Sequence, residues 1–261
     1  MSSEHKRVAI VTGATSGIGF AVAKALAAAG NNVFICARSA DNVKLTVKQL
    51  REEGYEVDGT TCDVRSPEHV RAFVAAAVET YGPVDILVNN AGRSGGGITA
   101  DISDELWFDI VNTNLNSVFL MTHAVLNIGG MRERSRGRIV NIASTAGKQG
   151  VVFGAPYSAS KHGVVGFTKA LGNELGKSGI TVNAVCPGYV ETPMAQAIRQ
   201  RYADFYGKPE QAILEQFQSK IPLGRYSTPE EVAGMVGYLV SDIAAPVTAQ
   251  AINVCGGLGN F

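Results

Sequence analysis

A tyrosine and a lysine four residues apart, Tyr157 and Lys161, are the side chains of this sequence best suited to proton transfer. On a helix, residues four apart lie on one face, so the phenol and the ammonium are neighbours. An ammonium beside a phenol favours the phenolate and lowers the tyrosine pKa from its usual value of about 10. Such a phenol can protonate an alkoxide that forms near neutral pH. Ser144 lies 13 residues before the tyrosine, and its hydroxyl can hydrogen-bond a substrate carbonyl.

That pair alone is weak evidence of a catalytic site, because a tyrosine and a lysine at this spacing are most often two residues of a surface helix. A glycine-rich turn, TGATSGIG from Thr12 to Gly19, adds a second signal between an apolar run and a helical stretch. Glycines there allow a tight turn and let a pyrophosphate approach the amide groups of a helix N-terminus. The spacing is GxxxGxG rather than the GxGxxG of the general dinucleotide-binding fingerprint. Tight turns also need glycine for steric reasons alone, so the glycines by themselves are weak evidence. The position of the turn after the first strand is what favours a dinucleotide site. The predicted cofactor contacts in this turn are Thr12, Gly13, Thr15, Ser16, Gly17, Ile18 and Gly19.

The residue that follows the second apolar run predicts which dinucleotide binds. A carboxylate there would bind the ribose 2′-hydroxyl of NAD, whereas an arginine accommodates the 2′-phosphate of NADP. The sequence has Arg38 and no carboxylate at that point, which predicts NADPH. The alternative is that Arg38 is a solvated charge at the end of a strand.

Two further groups of polar and small residues follow apolar runs, where open sheets bind ligands. Asp63 and Val64 end the third run, and Asp63 can accept a hydrogen bond from the adenine amine. Asn90, Ala91 and Gly92 follow the fourth run, and the small residues permit close approach to the cofactor. Each group taken separately could be an ordinary turn.

Composition excludes several classes of function. The chain has 261 residues with equal numbers of basic and acidic side chains, 23 of each, so it lacks the basic excess of a nucleic-acid binder. Its four cysteines and four histidines show no metal-binding spacing, and no metal is predicted. The first residues are charged rather than apolar, and no run is long enough to span a bilayer. We therefore expect a cytoplasmic protein without membrane or nucleic-acid partners.

Strand-like and helix-like segments alternate along the whole chain, which predicts a single α/β domain over residues 1–261. The apolar runs are continuous rather than alternating, as in a sheet that is covered on both faces. The predicted fold is a Rossmann-like, doubly wound parallel sheet of about seven strands with helices on both faces. The third strand is expected over Val57–Val64, and one long helix from about Asp104 to Arg134.

One stretch, approximately residues 189–227, interrupts that alternation and shows no strand pattern. It follows a strand and precedes the last helix and strand, a position where such sheets carry substrate covers. The alternative is a surface appendage that only packs on the core. A helical lid is favoured because the stretch is rich in aromatic residues, namely Tyr189, Tyr202, Phe205, Tyr206, Phe217 and Tyr226.

Taken together, these motifs resemble the short-chain dehydrogenase/reductase family over nearly the whole chain. The matching segments are the glycine-rich turn, Asn89–Gly92, Asn114, Ser144, Tyr157 with Lys161, and Pro187 with Gly188. The resemblance implies the catalytic set Asn114, Ser144, Tyr157 and Lys161, with Asn114 holding a water that links Lys161 to solvent. It also implies that Tyr157, Lys161, Pro187, Gly188, Val190 and Thr192 contact the cofactor, and that the protein is a homotetramer.

Three segments are most similar to the actinorhodin-type ketoreductases of aromatic polyketide synthases: 89–97, 144–152 and the closing residues 253–261. That resemblance implies reduction of one carbonyl, usually at the ninth carbon, of a polyketide chain carried on an acyl carrier protein. Ser94 stands where that family often has proline, which leaves the chain folding and the alcohol configuration open. The implied substrate contacts are Ser94, Gly95, Gly96, Ser144, Gln149, Val151, Tyr157, Met194 and Tyr202.

Two other functions are compatible with parts of this pattern. A 3-oxoacyl-carrier-protein reductase of fatty acid synthesis would share every catalytic residue, and the long lid and the tail after Leu258 favour the polyketide enzyme. A non-catalytic NADP-binding scaffold would be expected to lose Ser144, Tyr157 or Lys161, and all three are present. Three arginines follow strands, namely Arg38, Arg65 and Arg93. They predict a basic rim that binds a phosphopantetheine phosphate or an acidic carrier protein. The alternative, that they are solvated residues at the starts of loops, is equally compatible with the sequence.

Overall fold

The apolar runs form one parallel sheet in the computed structural model, which describes residues 6–259. Its strand order is β3-β2-β1-β4-β5-β6-β7, and every neighbouring pair is parallel. The order reverses between β1 and β4, which is where doubly wound sheets bind ligands. The strands are β1 (Val8–Thr12), β2 (Asn32–Ala37), β3 (Val57–Thr61), β4 (Ile86–Asn89), β5 (Gly137–Ile142), β6 (Ile180–Pro187) and β7 (Ala251–Val254).

Helices cover both faces of the sheet, as the continuous apolar strands predict. Side chains along β1 alternate between two cores: Ala9 and Val11 belong to one, and Ile10 belongs to the other. The predicted Rossmann-like fold is confirmed. The helices are α1 (Gly17–Ala28), α2 (Ala40–Glu52), α3 (Pro67–Tyr81), α4 (Asp104–Val111), α5 (Ser117–Asn127), α6 (Ala155–Leu175), α7 (Pro193–Tyr206), α8 (Glu210–Gln218) and α9 (Pro229–Val240).

Two predicted boundaries are wrong. The long helix expected from Asp104 to Arg134 is divided into α4 and α5 by a widened π-helical turn, Asn112–Asn116, and it ends at Asn127. The third strand stops at Thr61 rather than Val64, because the neighbouring β2 ends at Ala37 and offers no further partners. Both differences depend on contacts with distant parts of the chain, which local periodicity does not report.

The stretch after β6 folds into the two helices α7 and α8 beyond the carboxyl edge of the sheet. Four of its six aromatic residues, Tyr189, Tyr202, Phe217 and Tyr226, form a core of their own, in which the Tyr189 ring stacks on Phe217 at 5.0 Å and on Tyr226 at 5.2 Å, whereas Phe205 and Tyr206 are exposed. A backbone pairing of Val190 with Ser227 closes the base of this unit. It is called the lid below, for residues 189–227, and a covering role stays a prediction.

Among residues 6–259, no helix is long and apolar enough to cross a membrane. The same residues contain no cluster of three or more His, Cys, Asp or Glu side chains that could hold a metal ion. The four cysteines are buried and unpaired by disulfides. The described range leaves out residues 1–5 and residues 260–261. The latter two belong to the closing segment 253–261, on which part of the resemblance rests.

Candidate active site

Three of the four predicted catalytic side chains come together at the carboxyl edge of β5. Ser144 lies two residues past β5, and Tyr157 and Lys161 lie on one face of the following helix α6. The hydroxyls of Ser144 and Tyr157 are hydrogen-bonded to each other, and the Lys161 Nζ lies 5.8 Å from the centre of the Tyr157 ring. The Lys161 ammonium donates a hydrogen bond of 2.8 Å to the carbonyl of Ile142. The sequence prediction of this grouping therefore agrees with the structure.

The expected effect of the lysine on the tyrosine is wrong. Burial raises the pKa of Tyr157, and the hydrogen bond from Ser144 opposes that shift without reversing it. The ammonium is directed to the Ile142 carbonyl, and burial lowers the pKa of Lys161 itself to about 8. Removal from water favours the neutral form of each group. The phenol thus keeps its proton at neutral pH, which is the state that a proton donor needs.

Asn114 lies in the widened turn between α4 and α5, and its side chain is committed to protein groups. The amide oxygen accepts a hydrogen bond of 2.8 Å from the backbone N–H of Arg93. The amide nitrogen donates to the carbonyl of Arg93 at 3.0 Å and to the Ser160 hydroxyl at 3.1 Å. Ser160 in turn donates to the carbonyl of Tyr157 at 2.7 Å. Asn114 therefore ties the loop after β4 to the catalytic helix. A water held at Asn114 as a proton relay stays a prediction. Because the side-chain amide is already hydrogen-bonded to protein groups, such a water would bind a backbone group of this turn.

Packing explains the glycines of the turn between β1 and α1. Gly13 and Gly17 have positive φ angles of 63° and 53°, which disfavour other residues. A side chain at Gly13 would lie 2.9 Å from the Ala91 backbone, and one at Gly19 would collide with the Asn90 amide. The turn therefore lies directly against the loop after β4.

Thr12 and Asn90 join those two loops rather than project into open space. The Asn90 amide donates to the carbonyls of Thr12 and Gly13 at 2.9 and 3.1 Å. In return, the Thr12 hydroxyl accepts from the backbone N–H groups of Asn90 and Ala91 at 3.0 and 2.9 Å. Both predicted cofactor residues thus act in this structure by shaping the turn.

The N-terminus of α1 differs from those of α2, α3, α4, α7 and α9. Each of those five helices begins with a serine or threonine whose side chain accepts a hydrogen bond from a first-turn amide. Ser16 precedes α1 but makes no such bond. The first amides of α1 are therefore left without a side-chain acceptor, as a helix that binds a phosphate requires.

The other predicted cofactor residues surround that turn and the catalytic group. A side chain at Gly92 would lie 3.8 Å from the Lys161 Nζ, so glycine keeps this edge of the site open. Thr192 caps α7, and its methyl group would lie 3.2 Å from a side chain at Gly17. A side chain at Gly188 would lie 2.9 Å from the Cys255 side chain, so this position also requires glycine. The side chain of Val190 is buried in the core, so Val190 can contact a ligand only through its backbone.

Charged residues near the predicted adenine site are paired more than the sequence suggested. The Asp63 carboxylate accepts two hydrogen bonds from the Arg65 Nε and one of 2.6 Å from its terminal nitrogen, and this pairing lowers the pKa of Asp63. Arg65 also bridges to Asp109 at 2.6 Å, and Arg93 contacts the same carboxylate. Two of the three arginines of the predicted basic rim are thus neutralised, whereas Arg38 is exposed and makes no ion pair within residues 6–259. Val64 is buried in the core beneath them.

The predicted substrate residues lie on the loops after β4 and β5 and on the lid, and a substrate cleft between these segments stays a prediction. The Gly97 N–H donates to the Phe153 carbonyl at 2.8 Å, which holds the loop of Ser94, Gly95 and Gly96 against that of Gln149 and Val151. Val151 and Met194 are 43% and 42% exposed. Tyr202 instead packs edge-on against Phe217 inside the lid, at 5.3 Å.

Sequence reasoning missed several residues that shape this region. Phe153, in the loop after β5, is 45% exposed and has a φ angle of 60°, which is uncommon for an aromatic residue. Its place in the apolar run 151–153 was the available signal. Asp109, Ser160 and Arg199 gave no signal, because their roles come from partners far away in sequence.

Comparison with known proteins points to one family. Residues 7–203 match the family model described as short chain dehydrogenase. The chain is 69% identical over 261 residues, covering all of both chains, to a Streptomyces virginiae protein named "Monensin polyketide synthase putative ketoacyl reductase". It is 41% identical over 252 residues, 97% of both chains, to the 3-oxoacyl-[acyl-carrier-protein] reductase FabG of Pseudomonas aeruginosa. A crystal structure of an actinorhodin polyketide ketoreductase variant with NADPH superposes with a TM-score of 0.97 at 60% identity, over all of both chains.

Proposed function

Because the chain belongs to the short-chain dehydrogenase family, and is an oxidoreductase, we propose that it is an NADPH-dependent ketoreductase of polyketide biosynthesis. The observation that carries the proposal is the half-buried phenol of Tyr157, which is hydrogen-bonded to Ser144 and lies beside Lys161 on the same face of α6. A phenol in this state donates a proton, and carbonyl reduction requires a proton donor at the carbonyl oxygen. The proposed substrate is a polyketide chain on an acyl carrier protein, reduced at its ninth carbon.

The residues around the turn fit a dinucleotide. The uncapped amides of α1 suit the pyrophosphate, and Gly92 leaves room beside Lys161 for the nicotinamide end. When bound, NADPH supplies the hydride that is added to the carbonyl carbon. The Ser144 hydroxyl orients the carbonyl oxygen, and the Tyr157 Oη donates its proton to that oxygen. The nearby Lys161 ammonium stabilises the phenolate that remains.

The cleft supports a bulky substrate. Val151, Phe153 and Met194, on the segments proposed to border it, expose apolar surface, and such surface favours a large, partly apolar ligand. The similarity at 69% identity to a ketoacyl reductase of a polyketide synthase supports the same reading. The second candidate is a 3-oxoacyl-carrier-protein reductase, which the 41% identical relative supports. A homotetramer in the cytoplasm, with the acyl carrier protein as partner, is also proposed.

Turnover of two ketones separates the two candidates. We expect the purified enzyme with NADPH to reduce a bicyclic decalone with a higher kcat/KM than an acetoacetyl thioester, because only the larger ketone reaches the apolar edge of the cleft. The assay follows loss of NADPH absorbance. An enzyme that reduces the thioester efficiently and leaves the decalone unreacted would instead be the fatty acid reductase.

Arg38→Asp is expected to shift the cofactor preference from NADPH toward NADH. The substitution removes the exposed guanidinium that would pair with the 2′-phosphate and supplies a carboxylate for the 2′-hydroxyl. One charge-assisted contact changes the ratio of the two kcat/KM values by about 10- to 100-fold. Arg71→Asp, a change of the same type at an exposed position of α3, is the control. An unaltered ratio in the Arg38 variant would remove Arg38 from the cofactor site.

A further inference from the structure

Arg199 is a buried cation in the lid that the proposed reaction does not use. It lies on α7 with only 5% of its surface exposed. Two of its nitrogens donate to the two carboxylate oxygens of Glu191, at 2.8 and 2.9 Å. The third, Nε, contacts the carboxylate of Glu210. The guanidinium also lies 5.3 Å from the centre of the Tyr226 ring.

These partners belong to three different segments of the lid. Glu191 lies in the segment that leaves β6, Glu210 is the first residue of α8, and Tyr226 lies in the segment that returns to α9. One side chain of α7 thus joins both ends of the lid and its second helix. A buried charge is tolerated only where its partners are in place, so the arrangement depends on all of them.

The same side chain is linked to the cofactor side of the cleft. Glu191 is followed directly by Thr192, whose methyl group faces Gly17 in the turn before α1. The Glu191 N–H donates to the Ser227 carbonyl at 3.0 Å, which fixes this segment at the base of the lid. A change at Arg199 therefore acts on the placement of α7 and α8 relative to the turn.

The two ion pairs differ in strength. Glu191 is held by two parallel hydrogen bonds, the geometry that makes arginine–carboxylate pairs specific, whereas Glu210 is held through Nε alone. Of α8, only Ile213 and Phe217 are buried. The Glu210 contact is thus the weaker attachment, and α8 is the part of the lid that it restrains.

We propose that Arg199 is a positioning residue that holds α8 against α7 and the base of the lid through Glu210, and that this placement of the lid favours ketones large enough to contact it. This inference rests on the proposed function. A small ketone held by Ser144 and Tyr157 gains nothing from the lid. A bicyclic ketone that extends to Met194 binds against it.

The test is Glu210→Gln, which removes the charge and keeps the size of the side chain. We expect the KM for the decalone to rise about tenfold with kcat nearly unchanged, because one charge-assisted contact is lost at a partly exposed position. The KM for the acetoacetyl thioester should stay within about twofold. Arg199→Lys, which cannot bind two carboxylates in the same geometry, should reproduce this pattern. The double variant Arg199→Lys, Glu210→Gln should raise the KM for the decalone no more than either single substitution does, because both remove the same contact.

Arg201→Met is the matched control, because Arg201 is exposed on the same helix and makes no ion pair within the described residues. Hydrogen exchange over residues 210–218 gives a second readout that does not depend on turnover, and we expect faster exchange in Glu210→Gln. Equal changes of KM for both ketones, or unchanged exchange over 210–218, would overturn the inference. A parental enzyme that leaves the decalone unreacted would contradict the proposed function instead, and the exchange measurement would still decide the role of Arg199.

Discussion

Tyr157→Phe should lower the rate of ketone reduction at neutral pH by about 10²- to 10⁴-fold, the contribution typical of a general acid. The substitution removes one oxygen and keeps the ring, so packing on α6 is preserved. The lost atom is the one that is hydrogen-bonded to Ser144 and carries the proton to the carbonyl oxygen. Burial raises the pKa of this phenol, so the parental enzyme keeps its acid form at neutral pH and loses it only in alkaline solution.

Single-turnover reduction of the decalone by NADPH measures the effect on the chemical step. The folded state and cofactor binding are checked by thermal unfolding and by NADPH fluorescence, and both should match the parental protein. Tyr81→Phe is the control, because it removes a phenol oxygen that donates a hydrogen bond of 3.3 Å to Glu56 at the surface and lies outside the proposed site. If the folded, NADPH-binding Tyr157 variant reduced ketones at the parental rate, the proposed mechanism would fail.

Lys161→Met should lower activity by about 10²- to 10³-fold, the range found when one electrostatic contact to a reacting group is removed. The same change should alter how stability depends on pH. Burial lowers the pKa of Lys161 from 10.5 to about 8, so the folded protein binds this proton more weakly than the unfolded chain does. Below pH 8 the parental protein therefore bears the whole cost of a buried ammonium, about 3 kcal/mol.

As the pH rises from about 8 to 10.5, the folded parental protein loses that proton first, and the cost disappears. The free energy of unfolding of the parental protein should thus rise by about 3 kcal/mol relative to Lys161→Met over this interval. Urea unfolding of both proteins at several pH values gives the difference, in which other titrating groups cancel. Lys169→Met, at an exposed position on the same helix, should show no such pH dependence. A constant difference between parent and Lys161→Met would show that the ammonium is not destabilised by burial.

Much of the site follows from sequence because parallel strands place their carboxyl ends at one edge. Ser144, the turn before α1 and the loop of Asn90 each follow a strand, so the topology alone brings them together. The spacing of Tyr157 and Lys161 needs only a helix to become a pair. The apolar runs likewise determined the sheet, since continuous burial requires helices on both faces.

Tertiary structure decided the properties that depend on burial and on distant partners. The phenol was expected to be acidified by Lys161, yet removal from water raises its pKa, and the hydrogen bond from Ser144 does not reverse that shift. Asn114 was expected to hold water, and its amide is taken by Arg93, 21 residues away. Arg65 meets Asp109 across 44 residues, so its charge is neutralised by a partner that no local pattern reveals. Spacing along the chain fixes which groups are neighbours on one element, whereas solvation and long-range pairing exist only once the elements have packed.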